Sequence, residues 1–179
     1  MFEFTILNEP LNEVSLRRWA FDEDMLLSDQ DEDLLLHQAE YLPILILLAD
    51  DPSCPKDGYI LSCLDHYLKF IVLCGLEAEL EVVRKAIKLA CCATTPILHN
   101  WANLQQRRLR YREGLGPVSK EQALIMGEDL LNGIYPTAEI SLIGESHESW
   151  KIQLSTPPPL EYKERLTINK ATGHFVFSR

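Results

Sequence analysis

The apolar residues of this chain change their repeat partway along it. At the N-terminus Phe2, Phe4 and Ile6 alternate with Glu3 and Thr5, the two-residue period of a short strand. Asn8-Glu9-Pro10 breaks that pattern, and Val14–Phe21 fits either a helix or a strand. From Ser28 the period is helical. Ser28 or Asp29 can cap a helix whose first turn holds Asp31, Glu32 and Asp33, and Leu34, Leu35, Ala39, Leu42, Leu45 and Ile46 extend it to about Ala49. Pro43 falls inside this stretch and is expected to kink or split it. A second helix is expected over Lys56–Leu73, apolar on most sides and therefore central and most buried, with Gly75 as its stop. Residues 77–93 repeat apolar types at Leu80, Val83, Ile87 and Ala90, with acids early and bases late, as a helix dipole favours. Thr95-Pro96 opens another helix that reaches about Arg112 and ends at Gly114 and Gly116-Pro117. Ser119 and Gln122 have capping-box spacing for one more, over 120–133.

After Tyr135-Pro136 the period returns to two. Ile140 and Leu142, then Trp150, Ile152 and Leu154, then Leu166 and Ile168, then Phe175 and Phe177 alternate with polar neighbours or with Val176. These are four short strands, and Asn169–Gly173 suits a hairpin loop between the last two. Thr156-Pro157-Pro158-Pro159 reads as a rigid connection. The expected class is α+β: a helical block of about five helices followed by a small four-stranded antiparallel sheet. Residues 1–116 form the helical region and 117–179 a helix plus the sheet, as two subdomains with a seam near Gly114–Val118 or as one domain.

Composition narrows the class. The 179 residues are 46% apolar and 25% charged, an ordinary globular balance. No apolar run approaches the roughly 18 residues that span a bilayer, and the N-terminus lacks a basic leader, so the expectation is a cytoplasmic protein away from membranes. Charge changes the picture more. The net charge is −10, and residues 1–51 carry 13 acids against two bases, whereas residues 52–179 carry 14 acids and 15 bases. Asp22, Glu23, Asp24, Asp29, Asp31, Glu32 and Asp33 place seven acids in twelve positions with no base among them. Such a run reads as a docking surface for a basic protein partner, or simply as a solvated loop and helix start. Nucleic acid is not an expected partner, because phosphate affinity needs Lys and Arg.

Candidate chemistry is sparse. Asp29, Asp31, Asp33 and Glu40 stand at positions one, three, five and twelve of a calcium-loop pattern, but position six is Leu34 where a sharp turn needs Gly, so no metal is expected. The five cysteines contain no C-x-x-C pair and read as buried, reduced core thiols. Cys63 and His66 can share a helix face as nucleophile and base, yet their apolar flanks favour core packing. Arg107, Arg108, Arg110 and Arg112 cluster near a helix end, where the dipole favours bases, and could pair with the acidic run. No nucleotide-binding loop, nucleophile elbow or catalytic signature occurs; neither cofactor nor enzymatic chemistry is expected.

One resemblance bears on role. The helix with Ala123, Ile134 and Tyr135, the strand with Trp150-Lys151-Ile152, and Leu166-Thr167-Ile168-Asn169-Lys170 leading into Thr172-Gly173, resemble the C-terminal half of small bacterial immunity proteins. Those include members with a nuclear-transport-factor-like fold. The likeness covers about a third of the chain and carries over no functional residue. It implies a protein that neutralises a cognate toxin by binding it, with a cytoplasmic target such as nucleic acid or a nucleotide cofactor. The alternatives are a secretion chaperone with an exposed apolar groove and, third, an enzyme with a dispersed site.

Overall fold

A computed structural model describes residues 5–7, 12–27, 38–75, 77–131, 139–156 and 163–178. In chain order these give β1 (Thr5–Leu7), α1 (Glu13–Phe21), β2 (Met25–Leu27), α2 (Leu42–Ala49), α3 (Asp57–Cys74), a 3-10 turn (Glu77–Glu79), α4 (Leu80–Ala90), α5 (Pro96–Glu113) and α6 (Lys120–Leu131). Four strands follow: β3 (Glu139–Glu145), β4 (Ser149–Ser155), β5 (Lys163–Asn169) and β6 (Phe175–Ser178). The class is α+β, with an antiparallel sheet ordered β3-β4-β5-β6 after the helical block. The chain divides into two compact units, Met1–Leu68 with Arg84–Asn103, and Lys69–Val83 with Leu104–Arg179.

In the first unit, Val14–Phe21 resolves as helix because Asn12 caps it. The Asn12 side chain accepts from the amides of Val14 (2.9 Å) and Ser15 (3.0 Å), and the Asn12 amide donates to Ser15 Oγ at 2.8 Å. Leu16, Trp19 and Ala20 form the buried face of α1. Pro43 ends the ambiguity over the long helical stretch. It stands in the first turn of α2, where its missing N–H costs nothing, so the helix starts at Leu42. The start expected at Ser28–Asp33 lies outside the described residues. The most buried of the described helices is α2, with six of its eight residues buried, and not α3, which exposes Tyr59 and Phe70. Asp50, just past α2, receives the amides and hydroxyls of Thr94 and Thr95 over 2.7–3.1 Å and so anchors the start of α5. Burial alone would raise its pKa, but those four bonds outweigh it and hold the carboxyl below its ordinary value. The pair β1–β2 is parallel, with Thr5 opposite Met25. Its second strand, Met25-Leu26-Leu27, lies inside the acidic run.

In the second unit, α6 packs on the sheet. The expected capping box is present: the Ser119 amide donates to Gln122 Oε1 (2.9 Å) and the Gln122 amide to Ser119 Oγ (3.2 Å). Along β4 and β5 the alternation is as read, with Trp150, Ile152, Leu154, Leu166 and Ile168 buried. Gly127 lets α6 approach the sheet closely; a Cβ there would lie 2.6 Å from Ile152 Cγ2. The α5–α6 loop grips the β5–β6 hairpin: Gly116 N–H donates to the Thr172 carbonyl (2.9 Å), Val118 N–H to the Lys170 carbonyl (2.8 Å), and Trp150 Nε1 to the Val118 carbonyl (2.9 Å). Gly173 turns that hairpin at φ +72°, with Leu115 N only 2.7 Å from where a Cβ would stand.

The second unit also holds the arginine cluster. Arg107 makes a bidentate pair with Asp129 (2.9 and 3.0 Å), Tyr111 donates its hydroxyl to the same carboxylate (2.7 Å), and Arg108 Nε donates to the Asp129 carbonyl (2.6 Å). Arg112 donates to the Gly75 carbonyl beyond the end of α3 (3.2 Å). Asp129 is thus a carboxylate partner of Arg107 in this unit, because α6 brings it alongside the last turns of α5. Burial raises the Asp129 carboxyl, but the hydrogen bonds from Arg107 and Tyr111 and the nearby arginine charges outweigh it and hold the carboxyl below its ordinary 3.8. Burial, then the bond to Asp129, pushes the Tyr111 phenol up to about 12.

Candidate functional site

The acid excess belongs to one unit. The first carries 15 acids and 6 bases and the second 12 acids and 11 bases. Within the first, three of the seven acids of the run are described. Asp22 closes α1 and is half-buried; Glu23 and Asp24 form the exposed turn into β2. Asp29, Asp31, Glu32 and Asp33 lie outside the described residues.

The turn has a defined geometry. Asp22 Oδ1 accepts the Asp24 amide (3.1 Å), the Asp22 carbonyl accepts the Met25 amide (3.2 Å), and the Asp22 amide donates to the Trp19 carbonyl (3.4 Å). This is an Asx turn, a conformation that a short acidic side chain stabilises by standing in for a backbone acceptor. A cation fixes both ends of it. Lys56 Nζ donates to the Trp19 carbonyl (2.8 Å) and to the Met25 carbonyl (2.6 Å), and lies 4.7 Å from the centroid of the Trp19 ring. Trp19 is itself buried and meets Tyr59 edge-on, with centroids 6.1 Å apart. Cys54 Sγ adds a contact to the Ala20 carbonyl at 3.6 Å. Two residues just before α3 therefore hold the end of α1 and the start of β2, and the carboxylates between them stand on a fixed frame.

Sequence reasoning found these three acids and missed what positions them. Lys56 was legible only as the start of a helix, because nothing in its spacing points to carbonyls 31 and 37 residues away. The strand β2 had a signal, the apolar triplet Met25-Leu26-Leu27 between acids, which the charge count obscured.

The thiols need correction. No disulfide joins the five cysteines; Cys54 and Cys63 are buried as expected, but Cys74, Cys91 and Cys92 are exposed. They sit at the last residue of α3 and just past α4, where the chain leaves the apolar face of its helix. Burial raises the Cys54 thiol. Cys63 is buried and His66 is exposed. Among the described residues no three His, Cys, Asp or Glu side chains converge as a metal site, and no helix is long and apolar enough to cross a membrane.

The hollows are open. One of about 470 Å³ lies on the outer face of the sheet beside Gly144, Lys151, Arg165 and Thr167. Another, about 410 Å³, lies at the hairpin end beside Ser146, Asn169, Thr172 and His174. A third, of about 430 Å³, lies in the first unit between the start of α1 and α2. Comparison with known proteins finds no matching family model, no similar curated protein and no similar solved structure.

Proposed function

We propose that this chain is an immunity protein that binds a basic toxin domain and blocks it by steric and electrostatic occlusion. The observation that carries the reading is the Asp22–Asp24 turn, with Glu23 and Asp24 exposed, pinned by Lys56 in the unit that holds the acid excess. Opposite charge speeds encounter with a basic surface, and acids held in place before binding lose less entropy on contact than acids on a free loop. The resemblance of the sheet region to immunity proteins supports the same role. The work of such a protein is binding, so its chemistry lies in the placement of charge and shape.

The test has two stages. Partners are captured from a lysate of the source cells at low and high salt, with the wild type and with a triple variant carrying Asp22→Asn, Glu23→Gln and Asp24→Asn. The expected result is one stoichiometric basic partner, released by salt, whose association with the variant is slower and less salt-dependent. That partner is then expressed alone and together with this chain. Growth arrest relieved only by co-expression supports immunity. Several extended clients held through high salt would instead mark a secretion chaperone, and unchanged association kinetics in the triple variant would remove the docking role of the turn.

A further inference from the structure

The groove between the start of α1 and α2 is a surface that the acidic turn does not explain. It is lined by the apolar Pro43, Ile44 and Leu47 and by the polar Asn12, Glu13, Glu40 and Tyr41. Leu47 is the anomaly. On a helix with six of eight residues buried, it is 59% exposed. An apolar side chain facing an open hollow and flanked by two carboxylates has the layout of an interface centre with a charged rim. The charge on the rim is exchangeable. Glu13 pairs with Arg17 at 3.0 Å across one helical turn, with both side chains about half exposed or more, and such pairs are held weakly. A cation from another molecule can replace Arg17 at little cost. Burial, then the neighbouring Glu40, raises the Tyr41 phenol, whose hydroxyl hydrogen-bonds to the Glu40 carboxylate.

We infer that this groove is a second docking point, which seats an amphipathic segment of the partner through one apolar side chain against Leu47 and flanking Lys or Arg side chains against Glu13 and Glu40. The inference rests on the immunity reading and names the kind of surface the toxin domain presents. A basic segment fits the carboxylates of Glu13 and Glu40 and the net charge of this unit; an acidic one would meet like charge at both.

The test uses the full chain and a defined probe. The probe is an 18-residue amphipathic peptide of leucine and lysine at helical spacing, with a counterpart in which every lysine is glutamate. Binding is followed by titration and by amide chemical-shift mapping. The lysine peptide is expected to shift the resonances of Glu13, Ile44 and Leu47. Leu47→Gln is expected to weaken it about tenfold, the loss of one partly buried leucine contact. The pair Glu13→Gln and Glu40→Gln is expected to weaken it at low salt and to change little at high salt. Ile97→Gln, an equally exposed apolar residue elsewhere in the same unit, should leave it unchanged. Absence of binding, equal binding by Leu47→Gln, or equal binding of the glutamate peptide overturns the inference. Shifts centred on Asp22–Asp24 alone also overturn it, and they leave the docking turn standing. Failure of the growth rescue with the groove mapping intact removes the immunity reading instead.

Discussion

Replacing Lys56 by methionine should loosen the acidic turn without unfolding the helices around it. The ammonium makes two hydrogen bonds to carbonyls, at 2.8 and 2.6 Å, and rests over the Trp19 ring. Hydrogen bonds that involve a charged group contribute about 1.5–3 kcal/mol each, and a partly exposed cation–aromatic contact about 0.5–1 kcal/mol. Against this, removing the cation relieves its desolvation, and methionine keeps most of the packing of the lysine stem. A net loss of about 2–3 kcal/mol is expected, borne mainly by the segment between Trp19 and Met25. Because two compact units need not unfold in one transition, amide exchange under native conditions is the sharper assay. The amides of Asp24 and Met25, which donate to Asp22 Oδ1 and to the Asp22 carbonyl, should exchange roughly 30- to 150-fold faster, at 1.4 kcal/mol per factor of ten. Lys56→Arg, which keeps a donor and a charge, should lose less. Exchange at Asp24 and Met25 within about twofold of the wild type in Lys56→Met would refute the idea that this lysine holds the turn.

Three further outcomes follow from the same reasoning. Asp129→Asn should destabilise the second unit by about 1–3 kcal/mol, read by urea unfolding, because it breaks the bidentate pair with Arg107 and weakens the bond from Tyr111; the half-exposed Arg107 keeps the loss towards the lower end. Since the folded pKa of Asp129 is depressed, its contribution is present above the unfolded value and is lost as pH falls below 3.8 through the folded one, so an acid titration of the wild type should show this loss and that of Asp129→Asn should not. Gly173→Ala should cost about 2–3 kcal/mol, measured by thermal or urea unfolding, from a left-handed backbone and a Cβ against Leu115 N; a neutral substitution would mean that the two interlocked loops give way easily. A thiol reagent should label Cys74, Cys91 and Cys92 rapidly in the native chain and reach Cys54 and Cys63 only on unfolding, and a native count other than three would contradict the burial assigned to them.

The local elements were legible because short-range physics writes them. The capping box at Ser119–Gln122, the proline in the first turn of α2, the glycine at the hairpin before β6 and the two-residue alternation of the sheet each depend on residues a few positions apart. The acidic character of the first unit was legible too, since charge can be counted without coordinates. Three things were not. Apolar content named α3 as the most buried helix, but its length carries Tyr59 and Phe70 to the surface, while the shorter α2 is the more completely covered. The cysteines at the ends of α3 and α4 looked like core residues because composition does not say where a helix leaves the core. The arginines near the end of α5 had several possible counter-charges in sequence, and packing selected Asp129, 22 residues from Arg107. The sequence by itself determined the α+β order, most helix boundaries and the unequal distribution of charge, because propensity, capping and periodicity act within a few residues. Only the tertiary structure decided that Lys56 would hold the acidic turn, that Leu47 would face an open groove, and which thiols would meet solvent, because those depend on segments brought together across tens of residues by burial that no local pattern encodes.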